Sequence, residues 1–466
     1  MRTRLTLFAL SLALPAVLHA QVGTDSTWDV TQPRGRTREI DFTTTEGTWT
    51  AIDVSPDGRW IVFDLLGHIY RMPASGGEAQ ALTQGSGIAV NVQPRIAPDG
   101  RTIAFVSDRK GQMNIWLMNA DGSNPRPVLL SDKVQHRFPT WVDSGRFLVA
   151  VAIPASGTRS FVMLHPDGGQ GVEVLKGEVG SNPFRVSGSP DGRYLYYDAY
   201  TSRTPGLYGR DDAMMGAVQV RRLDLQTGVV RPITAGEEGK GNAEHGASGG
   251  GYAAEASPDG KLVSYMRKVP GGTLEYKGQR FGPRSALWIR DLTGGAERLA
   301  MDPVEMDLSE ESIVVNGTYP AYRWTPDGKT IVIHQGGKIR RLDVASGRIE
   351  TIPFTARVHR VVSERPAPKT KLSDGAVDVR FVRWATRSPD GRTLAFQAIG
   401  RVWVQELPNG TPRRLTSEAF APLEFQPAWS PDGRSIAFTS WQDEHRGALW
   451  VVPAQGGTPR RLTREP

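Results

Sequence analysis

The residues best suited to chemistry are the histidines, one acidic cluster and one glycine-rich stretch, and their spacing decides what each can do. The eight histidines stand alone at His19, His68, His136, His165, His245, His334, His359 and His445. None forms a His-x-His or His-Glu-x-x-His pair, the spacings that place two imidazoles on one metal ion. A blade of a repeat protein can lend a single histidine to a site, but each reads first as a surface or packing residue. The chain has no cysteine, which excludes a disulfide framework, thiolate-ligated zinc and a cysteine nucleophile. Glu305, Asp307, Glu310 and Glu311 offer oxygen ligands to a hard cation. They lack the glycine and the alternating Asp/Asn spacing of a calcium loop, so the expectation is a solvated loop. Gly236 to Gly251 (GEEGKGNAEHGASGGG) is glycine-rich without the strand-then-helix context of a phosphate cradle, and reads as a loop between strands. Asp443-Glu444-His445 reads as a polar turn. With no Gly-x-Ser-x-Gly elbow at a strand-to-helix turn and no Gly-x-x-x-x-Gly-Lys-Ser/Thr loop, the sequence assigns no catalytic, cofactor-binding or metal residue.

What positions these groups is a repeat. A Ser-Pro-Asp-Gly phrase ahead of Arg or Lys and an apolar strand occurs at Ser55–Gly58, Ser189–Gly192, Ser257–Gly260, Ser388–Gly391 and Ser430–Gly433. Variants stand at Ala97–Gly100 and Thr325–Gly328, and a degenerate copy at Asp143-Ser144-Gly145. The glycines are 42, 45, 47, 68, 68, 63 and 42 residues apart, so the short steps define a unit and the long ones carry insertions. Much of the content of 52 Gly and 33 Pro is turn chemistry of this kind: Pro presets φ near −65°, Asp bonds back to the backbone, and Gly supplies positive φ.

Period-two segments such as Arg101–Val106 and Arg434–Thr439 follow the turns and read as strands. A third, aromatic-bearing strand comes next, as at His68–Met72, Asn114–Met118, Ala286–Arg290, Arg401–Val404 and Ala448–Val452. Its Trp or Tyr is expected to pack one blade against the next. A Gly-Gly turn and an outer strand ending in Leu-Thr complete the unit, as at Arg414–Thr416 and Arg461–Thr463. Four short strands per unit predict an all-β fold, a β-propeller of four-stranded antiparallel blades with about eight units, seven to nine being the range.

These repeats resemble the WD-like repeat of TolB-type propellers. Trp28-Asp29-Val30, Thr48 to Leu66 (TWTAIDVSPDGRWIVFDLL), Ser107-Asp108-Arg109 with Asn114-Ile115-Trp116, Arg340–Gly347 and Pro412–Thr416 together resemble the N-terminal propeller of exported bacterial amidohydrolase-family proteins. That resemblance implies a divalent metal, zinc, in a hydrolase domain whose His-x-His strand this sequence does not contain. A more distant resemblance is to the propellers of tricorn-type and prolyl-oligopeptidase-type peptidases. The resemblance therefore leaves two functional classes: a non-catalytic propeller binding a protein or peptide partner, or the propeller portion of a larger hydrolase.

Arg2 and Arg4 precede an apolar run from Leu5 to Leu18 and a Leu-His-Ala ending at Ala20, the pattern of a cleaved export signal. The expected organisation is a signal over 1–20, an extension over 21–37 and one propeller over 38–466, with a periplasmic or secreted location. Losing Arg2 and Arg4 lowers the net charge from +7 to +5, spread over a chain whose longest basic run is Arg-Arg. Nucleic acid is not an expected partner, and no later segment is long and apolar enough to span a membrane. Arg38–Thr43 reads as an outer strand that either covers an edge of an eight-blade ring or begins a ninth unit. Glu364 to Lys371 (ERPAPKTK) and Asp302 to Gly317 exceed what a blade needs and are the expected interaction insertions.

Overall fold

In each complete Ser-Pro-Asp-Gly turn the hydroxyl ties the loop into a small closed network. Ser55 Oγ donates to Asp57 Oδ1 (2.6 Å), Asp57 Oδ1 accepts the Arg59 amide (3.0 Å), and Ser55 Oγ accepts the Trp60 amide (3.0 Å). The same set recurs at Ser257, Thr325, Ser388 and Ser430. The hydroxyl beside Asp57, Asp259, Asp327, Asp390 or Asp432 holds that carboxyl below the ordinary range. Locked this way, the turn delivers the next strand antiparallel to the one before it.

The computed structural model describes residues 30–463 except 34, 49, 156, 179–182, 201–217, 235–249, 270–273, 277, 282–283, 305–320 and 365–374. Apart from two short 3-10 turns, the regular elements among these residues are strands. They form eight blades. The first blade is Ile52–Val54, Trp60–Leu65, His68–Pro73 and Gly77–Ala81 in sequential antiparallel order. The fifth carries an inserted hairpin, Leu274–Tyr276 with Gln279–Phe281. Tyr70 and Trp116, in third strands, are buried, and Trp116 packs with Trp60, Val62 and Ile69 of the preceding blade.

The chain divides into two compact units, 1–365 and 366–466. In the first, the inner strands run in a complete circuit. Ile52–Val54 lies beside Asn91–Ile96, followed by Val134–Val142, Pro183–Gly188, Tyr252–Ala256 and Tyr322–Trp324, which returns to Ile52–Val54. The turns follow the same circle: a Cβ built on Gly100 would sit 3.8 Å from Pro56 Cδ, one on Gly328 3.8 Å from Pro258 Cδ, and one on Gly58 3.7 Å from Pro326 Cδ. Phe63, Tyr70 and Met72 of the first blade share a core with Val332, Ile339 and Ile352 of the sixth. The eight blades expected from the turns are all present: six form this circuit in the first unit, and two lie in the second. Repeat count is a property of the turns, whereas closure depends on how blades wedge together.

Closure uses an added strand rather than a shared blade. Phe354–Ser363, which follows the sixth blade, pairs parallel with Gly77–Ala81 of the first, with Phe354 opposite Gly77 and Ala356 opposite Ala79. Thr37–Thr44 then pairs antiparallel with Phe354–Ser363 from Thr37↔Ser363 to Thr44↔Ala356. The early strand therefore covers an edge, as one of the two expectations had it, but the edge belongs to this added strand. Arg360 fastens the pair, donating to the carbonyls of Leu66 (2.8 Å) and Ile88 (2.9 Å), while Tyr70 Oη donates to the Arg357 carbonyl.

In the second unit, the blades over Arg383–Arg414 and Leu423–Arg461 pack through Ala395, Val402, Val404 and Leu415 against Ile436, Phe438 and Val452. Trp441 and Leu449 of the last blade are exposed, whereas Trp60–Leu65 of the first ring is buried along its whole length.

Candidate functional site

Each inner strand of the ring places one residue five positions before its turn glycine: Asp53, Arg95, Thr140, Ser187, Glu255 and Arg323. Four of these six are charged. Arg185, two residues upstream of Ser187, joins them, so five of six blades send a charge toward the axis.

The inner strands reach this arrangement through bulges. Their ladders skip register between Val92 and Arg95, Arg137 and Thr140, Pro183 and Arg185, and Tyr252 and Glu255. Three bulges carry left-handed residues, Gln93 (φ 58°), Phe138 (φ 55°) and Ala253 (φ 59°). A bulge frees a backbone N–H from the ladder, and side chains of the preceding blades accept these groups. Asp64 Oδ2 accepts the Gln93 amide (2.7 Å), Gln93 Oε1 accepts the Phe138 amide (2.8 Å), and Asp198 accepts the Ala253 amide (2.9 Å). Asp64 Oδ1 also accepts the Ala51 amide (2.8 Å). Burial pushes the Asp64 carboxyl up to about 7 and the Asp198 carboxyl up to about 6, against the pull of those amides and of Arg95 and Arg185 respectively.

On this frame the axial charges make a partly paired chain. Arg185 Nη2 donates to Glu255 Oε1 (2.6 Å), Arg323 Nη1 pairs with the same oxygen, and Arg323 Nε reaches Asp53 Oδ1 (3.2 Å). Asp53 Oδ2 accepts the Ile96 amide (2.7 Å). Arg95 has no ion pair among the described residues; its Nη1 donates to the Ile52 and Pro94 carbonyls. Arg185 Nη1 is buried with no hydrogen-bond partner, in a side chain only 5% exposed. Burial, with Arg95 beside it, drives the Arg323 guanidinium well below its ordinary value, and burial brings Arg95 down to about 10. A guanidinium still holds its proton at neutral pH, so these shifts express how poorly Arg95 and Arg323 are solvated. Such a site attracts anions.

The sequence assigned no site residue, and none of its candidate chemical clusters falls here. Glu305, Asp307, Glu310 and Glu311 lie outside the described residues, as do His19, His245, positions 236–249 of the glycine-rich stretch and 365–371 of the Pro-rich insertion. His68, His136 and His334 are buried. His136 Nδ1 meets Asn114 Oδ1 (3.1 Å), His68 Nδ1 meets Thr83 Oγ1 (3.3 Å), and His334 Nε2 donates to the Gly47 carbonyl (2.8 Å). Burial pushes His68 and His136 down to about 4. Among the described residues no three His, Asp or Glu side chains converge on a metal position. Asp443–His445 is a turn between Ser435–Gln442 and Arg446–Pro453, with Asp443 accepting the Trp441 indole N–H. A cleft of about 440 Å³ lies between the two blades of the second unit. Arg413 and Trp429 on its wall donate to the Ala454 and Thr386 carbonyls.

Residues 32–232 match the TolB beta propeller domain family. Tricorn protease homolog 1 of Streptomyces coelicolor is 26% identical over 418 residues, 83% of this chain and 36% of that protein. The Tol-Pal system protein TolB of Wolinella succinogenes is 34% identical over 93 residues, 19% of this chain and 21% of that protein. The crystal structure of the tricorn protease aligns with a TM-score of 0.43 at 14% identity, over 91% of this chain and 36% of that one. The alignments span about a third of the tricorn homolog and a fifth of the TolB protein. Neither relative is an amidohydrolase. No helix of the described residues is long and apolar enough to cross a membrane.

Proposed function

We propose that this chain is an exported, non-catalytic binding propeller of TolB type, and that the axis of its six-blade ring receives a segment of a protein or peptide partner. The carrying observation is the axial cluster. Asp53, Arg95, Arg185, Glu255 and Arg323 come from five different blades and act on one another there. A propeller stabilised by apolar contacts between blades gains little from buried ions, whose desolvation offsets their attraction; a ligand-facing role accounts for them. The test is panning of a phage-displayed peptide library on the purified chain. A consensus whose binding weakens at least tenfold in Arg323→Ala is expected; no enrichment over heat-denatured chain sinks the reading. Export predicts Gln21 as the first residue of the protein recovered from its native host.

A second reading, the propeller portion of a longer peptidase, is favoured by the alignment with the tricorn homolog across 83% of this chain but 36% of that protein. Sequencing the gene on both sides of these codons tests it. A peptidase domain in frame supports it, while a strand bearing a His-x-His pair supports instead the amidohydrolase relationship suggested by the repeats.

A further inference from the structure

We infer that the axial cluster is a carboxylate-binding site, in which an acidic group of the bound segment completes the hydrogen bonding of Arg185 and Arg95. The inference rests on the binding-propeller reading and gives its site a chemistry. Three guanidinium groups face the axis from the second, fourth and sixth blades, and the carboxylates among them are already engaged. Both Glu255 pairings are made to arginines of the cluster, and Asp53 is held by Arg323 and by the Ile96 amide. Asp64 and Asp198, set behind it, accept their described hydrogen bonds from backbone amides, Asp64 from Ala51 and Gln93 and Asp198 from Ala253. Donor capacity is left over on one side only. Arg185 Nη1 is buried without a partner, and Arg95 faces the axis with no carboxylate in ion-pair range among the described residues. Arg95 and Arg185 act on each other electrostatically, as do Arg323 and each of them, so one bound anion relieves repulsion among all three. On the axis three cations face Asp53 and Glu255, and Asp64 and Asp198 behind them act on Arg95 and Arg185, so the little positive charge left over suits a monoanionic carboxylate better than a dianionic phosphate. The planar guanidinium fork suits the two oxygens of a carboxylate.

The experiment uses the full chain and defined probes. Thermal unfolding is followed in chloride, acetate, glutarate and phosphate at matched ionic strength. Calorimetric titration follows with three pentapeptides capped at the amino terminus: Gly-Gly-Glu-Gly-Gly amide, Gly-Gly-Gly-Gly-Gly with a free carboxyl end, and Gly-Gly-Gln-Gly-Gly amide. Acetate and glutarate are expected to raise the midpoint above that in chloride and by more than phosphate does. At least one carboxylate-bearing peptide is expected to bind, the pair telling a side-chain carboxylate from a chain end, with affinity at least tenfold lower in Arg185→Gln and in Arg95→Gln. The Arg95 variant breaks no ion pair, so it keeps the test decisive if Arg185→Gln fails to fold. Glu255→Gln, which adds positive charge, is expected to tighten binding. Equal midpoints in all four salts, as for an axis satisfied by water alone, overturn the inference, as do variants binding like the parent. If the neutral peptide binds as well as the acidic ones and ignores both arginine variants, the binding propeller stands and the carboxylate site falls. If acetate and glutarate act through Arg95 and Arg185 but no peptide binds, the carboxylate site stands and the peptide-binding reading falls.

Discussion

Asp64 is where the inner strands and the titration chemistry meet. Its two oxygens accept the amides of Ala51 and Gln93, yet burial lifts its carboxyl from 3.8 to about 7. Below the ordinary value the proton is held in both the folded and unfolded chain; between there and about 7 only the folded chain holds it, so this group's contribution to stability declines as pH rises through that window. His136 works in the opposite sense. Lowered from 6.5 to about 4, it is neutral when folded and charged when unfolded across that interval, so its contribution is present above 6.5 and lost as pH falls through about 4. Asp64→Asn keeps only one acceptor for two amides and is expected to be less stable by about 1–3 kcal/mol in urea unfolding at low pH, with the deficit shrinking toward neutrality. A deficit that grows with pH would show that the two amides outweigh burial and keep Asp64 ionised. His136→Gln is expected to lose less stability than the parent on acidification from 6.5 to 4. Part of the axial site was legible in the sequence: aligned on their turns, the repeats put Asp53, Arg95, Glu255 and Arg323 in one column of a strand that otherwise reads as core. Arg185 was not legible, because it stands two residues upstream of that column, at a position where the other repeats carry no charge.

At the scale of the turn, the same phrase has different consequences in different blades. Gly58 and Gly192 both hold positive φ, near 70°. A Cβ on Gly58 would meet Pro326 Cδ at 3.7 Å, ordinary contact, whereas one on Gly192 would lie 2.5 Å from the Asp143 amide nitrogen. The difference traces to the degenerate third turn, where Asp143 stands in place of the proline ring that other blades present. Gly58→Ala is therefore expected to cost about 1–2 kcal/mol, the left-handed strain alone, and Gly192→Ala measurably more, read from urea midpoints; equal costs would mean that the third turn yields freely. Strands were the readable elements, since period-two patterning between turn phrases is local. Phe354–Ser363 alternates just as well, but its partner Gly77–Ala81 is nearly three hundred residues away and parallel, and no local pattern encodes such pairing. The three long steps between turn glycines did mark real departures: the fifth-blade hairpin and this added strand account for part of two of them.

On the scale of the whole chain, eight units were countable from the turns, but their division into six and two was not. Each repeat carries its own strands; ring size depends on the wedge angle between packed blades, set by side chains such as Phe63 and Ile352 across the closing contact. The Pro-rich stretch from Glu364 to Lys371 did carry a signal, since the boundary between the units falls within it. Because the first ring closes on itself, a chain ending at Arg365 is expected to keep one cooperative thermal transition and a β-sheet circular dichroism spectrum; loss of the transition would mean that the ring depends on the second unit. The pairing of Thr37 with Ser363 also fixes how the first unit responds to force. Thr37–Thr44 and Phe354–Ser363 are antiparallel, and their outward ends meet at the same end of the ladder. Tension applied through the two ends of this unit therefore opens the ladder one bond at a time instead of shearing eight paired residues together. In optical tweezers the unit should give way first in a small, low-force step that peels this pair apart, with the six blades unravelling only at higher load.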